Sequence, residues 1–225
     1  MERHIDEELK KFRTDLLTMA ALVEESIHSA ILALKTQDIE LAKKIINDDK
    51  NIDEWEIAIE EHSVELLALF QPLAKDLRFL TVGMQINTEL ERIADLVVNI
   101  CQRVIELNEV PLLKPLIDIP KLADVAKSMV RNSIDAFISS NEEQAKQVIM
   151  TDIQANKLRN AIVHELINEY MVKDGTTAPR AVPLLLIARD LERICDHSKA
   201  IAEDVLYMIN AVIVRHHKER LRDSK

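Results

Sequence analysis

Apolar residues return along most of this chain every three or four positions, the spacing of a helix that buries one face. Ile86, Leu90, Ile93, Val97, Cys101 and Val104 fall within a narrow stripe when each residue turns by about 100°. Ile187, Leu191, Ile194, Ile201 and Val205 form a second stripe near the other end. The pattern breaks near KTQD (35 to 38), QPLAK (71 to 75), VPLLKPLIDIP (110 to 120), SSNEE (139 to 143) and KDGTTAP (173 to 179). Six helical segments remain between these breaks. Short turns between long consecutive helices favour antiparallel neighbours. Pro183, about a turn after Pro179, is expected to kink the last helix or to delay its start.

The pattern also repeats. Glu91-Arg92-Ile93-Ala94-Asp95 returns as Glu192-Arg193-Ile194-Cys195-Asp196, an offset of 101 positions from 91 to 192. Around it, ELERIADLVVNI (89 to 100) lies over DLERICDHSKAI (190 to 201). Residues 26 to 49 resemble residues 133 to 152, with a four-residue deletion at the first turn. One unit, duplicated, explains this. The predicted fold is all-α: two tandem, pseudo-symmetric three-helix bundles over 1–110 and 121–225, joined by a proline-containing linker at 111–120 that holds Pro111, Pro115 and Pro120.

Composition narrows the class. Two glycines, six prolines and 3% aromatics leave little material for hairpins or strands. A formal charge of −10, with no basic stripe interleaved with aromatics, argues against nucleic-acid binding. The longest strongly apolar run, AVPLLLIA (181 to 188), is far short of a bilayer span, and MERHIDEELK has no signal-peptide core, so the expectation is a soluble intracellular chain. Cys101 and Cys195 form no CxxC and read as small buried residues of a reducing compartment.

On the predicted helices the acids of both ExxxD pairs point away from the core. Glu91 and Asp95 fall nearly opposite the first stripe, and Glu192 and Asp196 opposite the second, with Glu203 a turn further on. Asp49, Asp53, Glu56 and Glu60 run along the second helix at spacings of 4, 3 and 4. At an offset of 103 their counterparts are Asp152, Asn156, Arg159 and Val163, so the second ladder decays. A single i, i+4 acidic pair is what any solvated helix face carries. A pair kept in both copies, despite its mutual repulsion, points to a hard cation held by oxygen ligands. By carboxylate count the first half should bind it more tightly, and Arg159 is a candidate to pair with Glu192 and stand in for the metal.

Other motifs carry less. Glu25-Ser26-Ile27-His28 matches the ExxH of carboxylate-bridged di-iron bundles, which makes such an enzyme the alternative reading, but the second half has SIDA in its place. His197 joins a metal shell or sits at the bundle edge, and the edge is the expectation. The tail RHHKERLRDSK reads as a solvated helix end with a basic face that an anionic lipid or acidic partner could meet.

With ELERIAD, DLERICDH, PLAKDLRFL (72 to 80) and IAEDVLYM (201 to 208), the chain resembles the PhoU family over essentially its whole length. The resemblance implies two three-helix bundles in pseudo-twofold relation, a cytoplasmic protein often found as a homodimer, and no catalysis. It implies negative regulation of the phosphate-starvation response, relaying the state of a phosphate ABC transporter to a sensor histidine kinase at the membrane. It also implies surface metal sites for iron or zinc, with magnesium, manganese or calcium as other candidates. By position, Glu91, Asp95, Glu192 and Asp196 are the motif acids, with Asp49, Asp53 and Asp152 from the neighbouring helices. The chain departs from the family pattern in the last helix. Cys195 replaces a glycine, and Ser198, Lys199 and Ala200 replace Ala-Thr-Asn, leaving Asn99 without an amide counterpart.

Overall fold

The computed structural model describes residues 4–108 and 110–212, and these form six helices with no strand among them. Helices α1 (His4–Thr36), α2 (Ile39–Phe70) and α3 (Ala74–Leu107) make the first bundle, and α4 (Asp118–Ser139), α5 (Glu142–Glu165) and α6 (Ala178–Asn210) the second. The repeat extends to the backbone. The α1–α2 and α4–α5 turns each place a non-glycine residue in the left-handed region, Gln37 at φ 53° and Ser140 at φ 50°. The next residue caps the following helix in both. Asp38 accepts from the Leu41 amide at 3.0 Å and Asn141 from the Gln144 amide at 3.1 Å. Their own amides reach back five residues, to Ala33 and Ala136, closing both preceding helices alike.

Each bundle packs all three of its helices together, and the bundles also pack on each other through α3 against α6 and α1 against α4. The α3–α6 pairing is antiparallel. Arg78, near the start of α3, donates to the Met208 carbonyl near the end of α6 at 3.1 Å, and Glu89 meets His197 at 2.5 Å. The two core stripes read from sequence, Ile86 to Val104 and Ile187 to Val205, are buried, and both halves contribute to one apolar core. An aromatic cluster crosses the seam, where Phe79 of α3 stacks on Phe137 of α4 at 4.7 Å and meets Phe12 of α1 edge-on at 5.9 Å. Gly83 lets α1 approach α3, because a Cβ there would lie 2.4 Å from the Phe12 ring.

Three expectations are corrected. Pro183 does not delay α6, which begins at Ala178 and runs through it. Near a helix start the proline forfeits one backbone bond, the one its amide would make to Pro179, and the helix absorbs this. The helix after the linker starts at Asp118, with Pro120 in a first turn whose amides need no intrahelical partner. An apolar window long enough to cross a bilayer exists after all, in α1, with a mean hydropathy of 1.4. Charged residues interrupt its apolar runs and hid it. Phe12, Leu16, Met19, Val23 and Ile27 are buried there as core. The connection into α6 also holds an unforeseen π-helical segment, Leu166–Met171, before a short 3-10 turn. Lys114 of the linker pairs with Glu165 just ahead of it. Residues 215–225, the basic tail, lie outside the described residues.

Two unequal carboxylate faces

Asp49, Asp53 and Glu56 of α2 meet Glu91 and Asp95 of α3 along the groove between these helices. Buried Asn87 fixes the register by donating from Nδ2 to the Glu56 carbonyl at 2.9 Å. The outward direction read from helical angles holds in part: Asp95 and Asp53 are exposed, while Asp49, Glu56 and Glu91 are half-buried at the helix contact. Partial burial and crowding of like charge both disfavour ionisation. Burial first, then the charges of Asp95, Glu56 and Asp53, together with a hydrogen bond to Asp95, push Glu91 up to about 7. Burial, then Asp53 and Asp95, push Asp49 up to about 6. Burial and then Glu60, Asp53 and Asp95 raise Glu56. Among the described residues no basic side chain pairs with any of these five acids. Cys101 lies beneath, a free buried thiol pushed up to about 12 by burial and then by Asp49.

The matching face of the second half is built from the same helices with different charges. Asp152 is buried, at 6% exposure, against the surface placement expected for it, because Lys199 of α6 covers it with Nζ 2.7 Å from Oδ2. Arg159 Nη2 lies 3.0 Å from Glu192 Oε1, the pairing anticipated from sequence. Asn156 turns its amide back onto the Asp152 carbonyl at 3.0 Å. Asp196 is exposed, and burial, Glu192 and Asp152 raise it against the pull of Lys199 and His197. Burial lowers the Lys199 ammonium, but the hydrogen bond and charge of Asp152, then Asp196 and Glu203, outweigh this and raise it. Cys195, also free and buried, is raised by burial and by Asp152, Asp196 and Glu192.

Lys199 was missed from sequence as a functional residue. In the sequence it stands only as the replacement for the family's threonine, yet on α6 it lies about 20° from Glu192 and about 60° from Asp196 in angle, and a wheel that scores bases with acids finds it on their face. His197 sits at the bundle edge as expected, but its bond to Glu89 makes it part of the seam.

The donor chemistry of the first face, carboxylate oxygens alone with unneutralised charge, fits a hard cation. The arrangement is looser than the chemistry. Among the described residues no three His, Cys, Asp or Glu side chains are gathered closely enough to hold one ion. The second face fits a cation poorly, since two bases already occupy it. Glu25 and His28, the ExxH pair, are both exposed on α1, and Glu25 accepts from Ser29 at 3.1 Å. An inward di-iron centre needs the opposite orientation.

The PhoU domain model matches twice, over residues 16–104 and 119–205. The chain is 37% identical over 209 residues to the phosphate-specific transport system accessory protein PhoU homolog of Aquifex aeolicus, covering 93% of this chain and 94% of that one. It is 34% identical to the phosphate-specific transport system accessory protein PhoU of Escherichia coli, over 93% and 86% of the two chains. Its fold is similar to the crystal structure of PhoU from Pseudomonas aeruginosa, with TM-score 0.88 at 30% identity over 93% of this chain and all of that one. The phosphate transport system regulatory protein PhoU from Streptococcus pneumoniae gives 0.86 at 31%, over 93% and 98%.

Proposed function

The chain belongs to the PhoU family, and from this premise we propose that it is a non-enzymatic accessory protein of a phosphate-specific transport system. It restrains the phosphate-starvation response by relaying the state of a phosphate ABC transporter to a sensor histidine kinase. It acts as a homodimer at the cytoplasmic face of the membrane. The observation that carries the reading is full-length similarity, in both repeats, to proteins named for that accessory role. The test is a strain lacking the gene. Phosphate-starvation genes should be expressed in phosphate-rich medium, and the tagged protein should co-purify with transporter or kinase subunits from membranes. Normal repression in a strain with no second PhoU-like gene would remove the assignment.

Within this role the first carboxylate face takes a metal ion, iron or zinc before magnesium, manganese or calcium. Asp49, Asp53, Glu91 and Asp95 are the residues that would hold it. A bound cation would supply positive charge where these acids now repel one another, drawing α2 and α3 together. Protein purified without chelator should carry metal. Asp95→Asn should lower its content more than Asp196→Asn, while Glu25→Ala with His28→Ala should leave it unchanged. Loss of metal in that last variant would favour the di-iron alternative.

A further inference from the structure

The two faces can be compared place by place, because the repeat registers them. Asp49, Asp53 and Glu56 correspond to Asp152, Asn156 and Arg159, and Glu91, Asp95 and Val98 to Glu192, Asp196 and Lys199. The first set holds five acids and no base. The second holds three acids and two bases, and each base reaches across from one helix to an acid on the other. Asp152 is the most constrained of these groups. It is almost fully buried, its Oδ2 faces Lys199, and its Oδ1 has no hydrogen-bond partner, so the lysine is its principal neutraliser. A buried carboxylate left without its cation is strongly destabilising.

We propose that the second half carries its own cations in place of a bound one: Arg159 and Lys199 tether α5 to α6 permanently, so that this chain takes up metal on its first half alone. The inference rests on the reading of the first face as a cation site. The halves are then unequal devices. The α2–α3 contact tightens only when an ion arrives, whereas the α5–α6 contact is already closed and reports nothing about ion supply. Because the tethers are covalently part of the chain, neither dilution nor a chelator removes them.

The experiment uses the full chain, with Mn²⁺ as the probe and two readouts. By titration calorimetry and EPR, the native protein should bind in one class of site that Asp95→Asn weakens at least tenfold and Asp196→Asn leaves within about twofold. Giving the second half the first half's residues, through Asn156→Asp, Arg159→Glu and Lys199→Val together, should add a second class of site. By hydrogen exchange, Mn²⁺ should slow α2–α3 amides and leave α5–α6 unchanged. Lys199→Met should speed α5–α6 exchange at least tenfold without metal, with Lys199→Arg restoring most of the protection. Two native sites, one of them lost in Asp196→Asn, would overturn the proposal. Unchanged α5–α6 exchange in Lys199→Met would overturn it as well. If no Mn²⁺ bound anywhere, the cation reading of the first face would fall, and the Lys199 exchange result would still decide whether the tether exists.

Discussion

Glu91 and Glu192 occupy the same place in their repeats and meet opposite surroundings, repulsion from neighbouring acids in one case and Arg159 in the other. For Glu91 the folded chain favours the protonated form, since its folded value of about 7 lies above the ordinary 4.5. The sign follows from linkage: this contribution is fully present below pH 4.5 and is lost as pH rises toward 7. Asp49 adds the same trend between 3.8 and about 6. Protein held in chelator should therefore melt at a lower temperature at pH 7.5 than at pH 5. Glu91→Gln, which fixes the uncharged form, should recover about 1 kcal/mol at the higher pH, a figure reduced for the screening of a partly exposed group. An identical pH slope in native and variant protein would contradict this. The outward direction of Asp95 and Asp196 was legible from steps of about 100° along the chain, and so was the Arg159–Glu192 match, whereas the half-burial of Glu91 was not. The burial of Asp152 was not, because it depends on how closely α6 lays Lys199 over α5, which is a tertiary distance.

Among the elements, α1 and α3 are in tight contact where Gly83 faces Phe12. A glycine inside a helix normally costs about 1 kcal/mol against alanine, so an open site would gain from the exchange. This site is not open. The Phe12 ring is fully buried and has no room to swing aside, and overpacking costs about 1–3 kcal/mol. Gly83→Ala should thus destabilise the protein in urea unfolding, and Phe12→Leu in the same chain should return part of the loss. At the offset of 101 the second half has Leu184, also buried, so the matching point there accommodates a full side chain. The helix breaks could be read from capping residues and prolines, as Asp38 and Asn141 illustrate. Pro183 misled because a proline's cost depends on its distance from the helix start, and that start lies at Ala178, directly after the short 3-10 turn Gly175–Thr177.

At the scale of the molecule, the seam between halves is as much core as the interior of either bundle. A chain ending at residue 112 would expose the face of α3 that α6 covers and the Phe79 ring that Phe137 of α4 covers. Such a fragment should not remain a folded monomer. Gel filtration should find it self-associated or aggregated, and a monomeric, cooperatively melting fragment would show that the halves are independent. The antiparallel crossing of α3 and α6 has a consequence for how such a chain arises. Two identical half-length proteins meeting through that helix would form an isologous pair, each presenting the same surface to the other. Joining them by a short connection turns a concentration-dependent encounter into an internal one, at an effective concentration on the order of millimolar. Once association is guaranteed, the copies are no longer bound to stay alike. An ancestor built from one gene had to carry the same side chains twice; the fused chain was free to keep acids alone on one face and to pair those of the other with its own lysine and arginine.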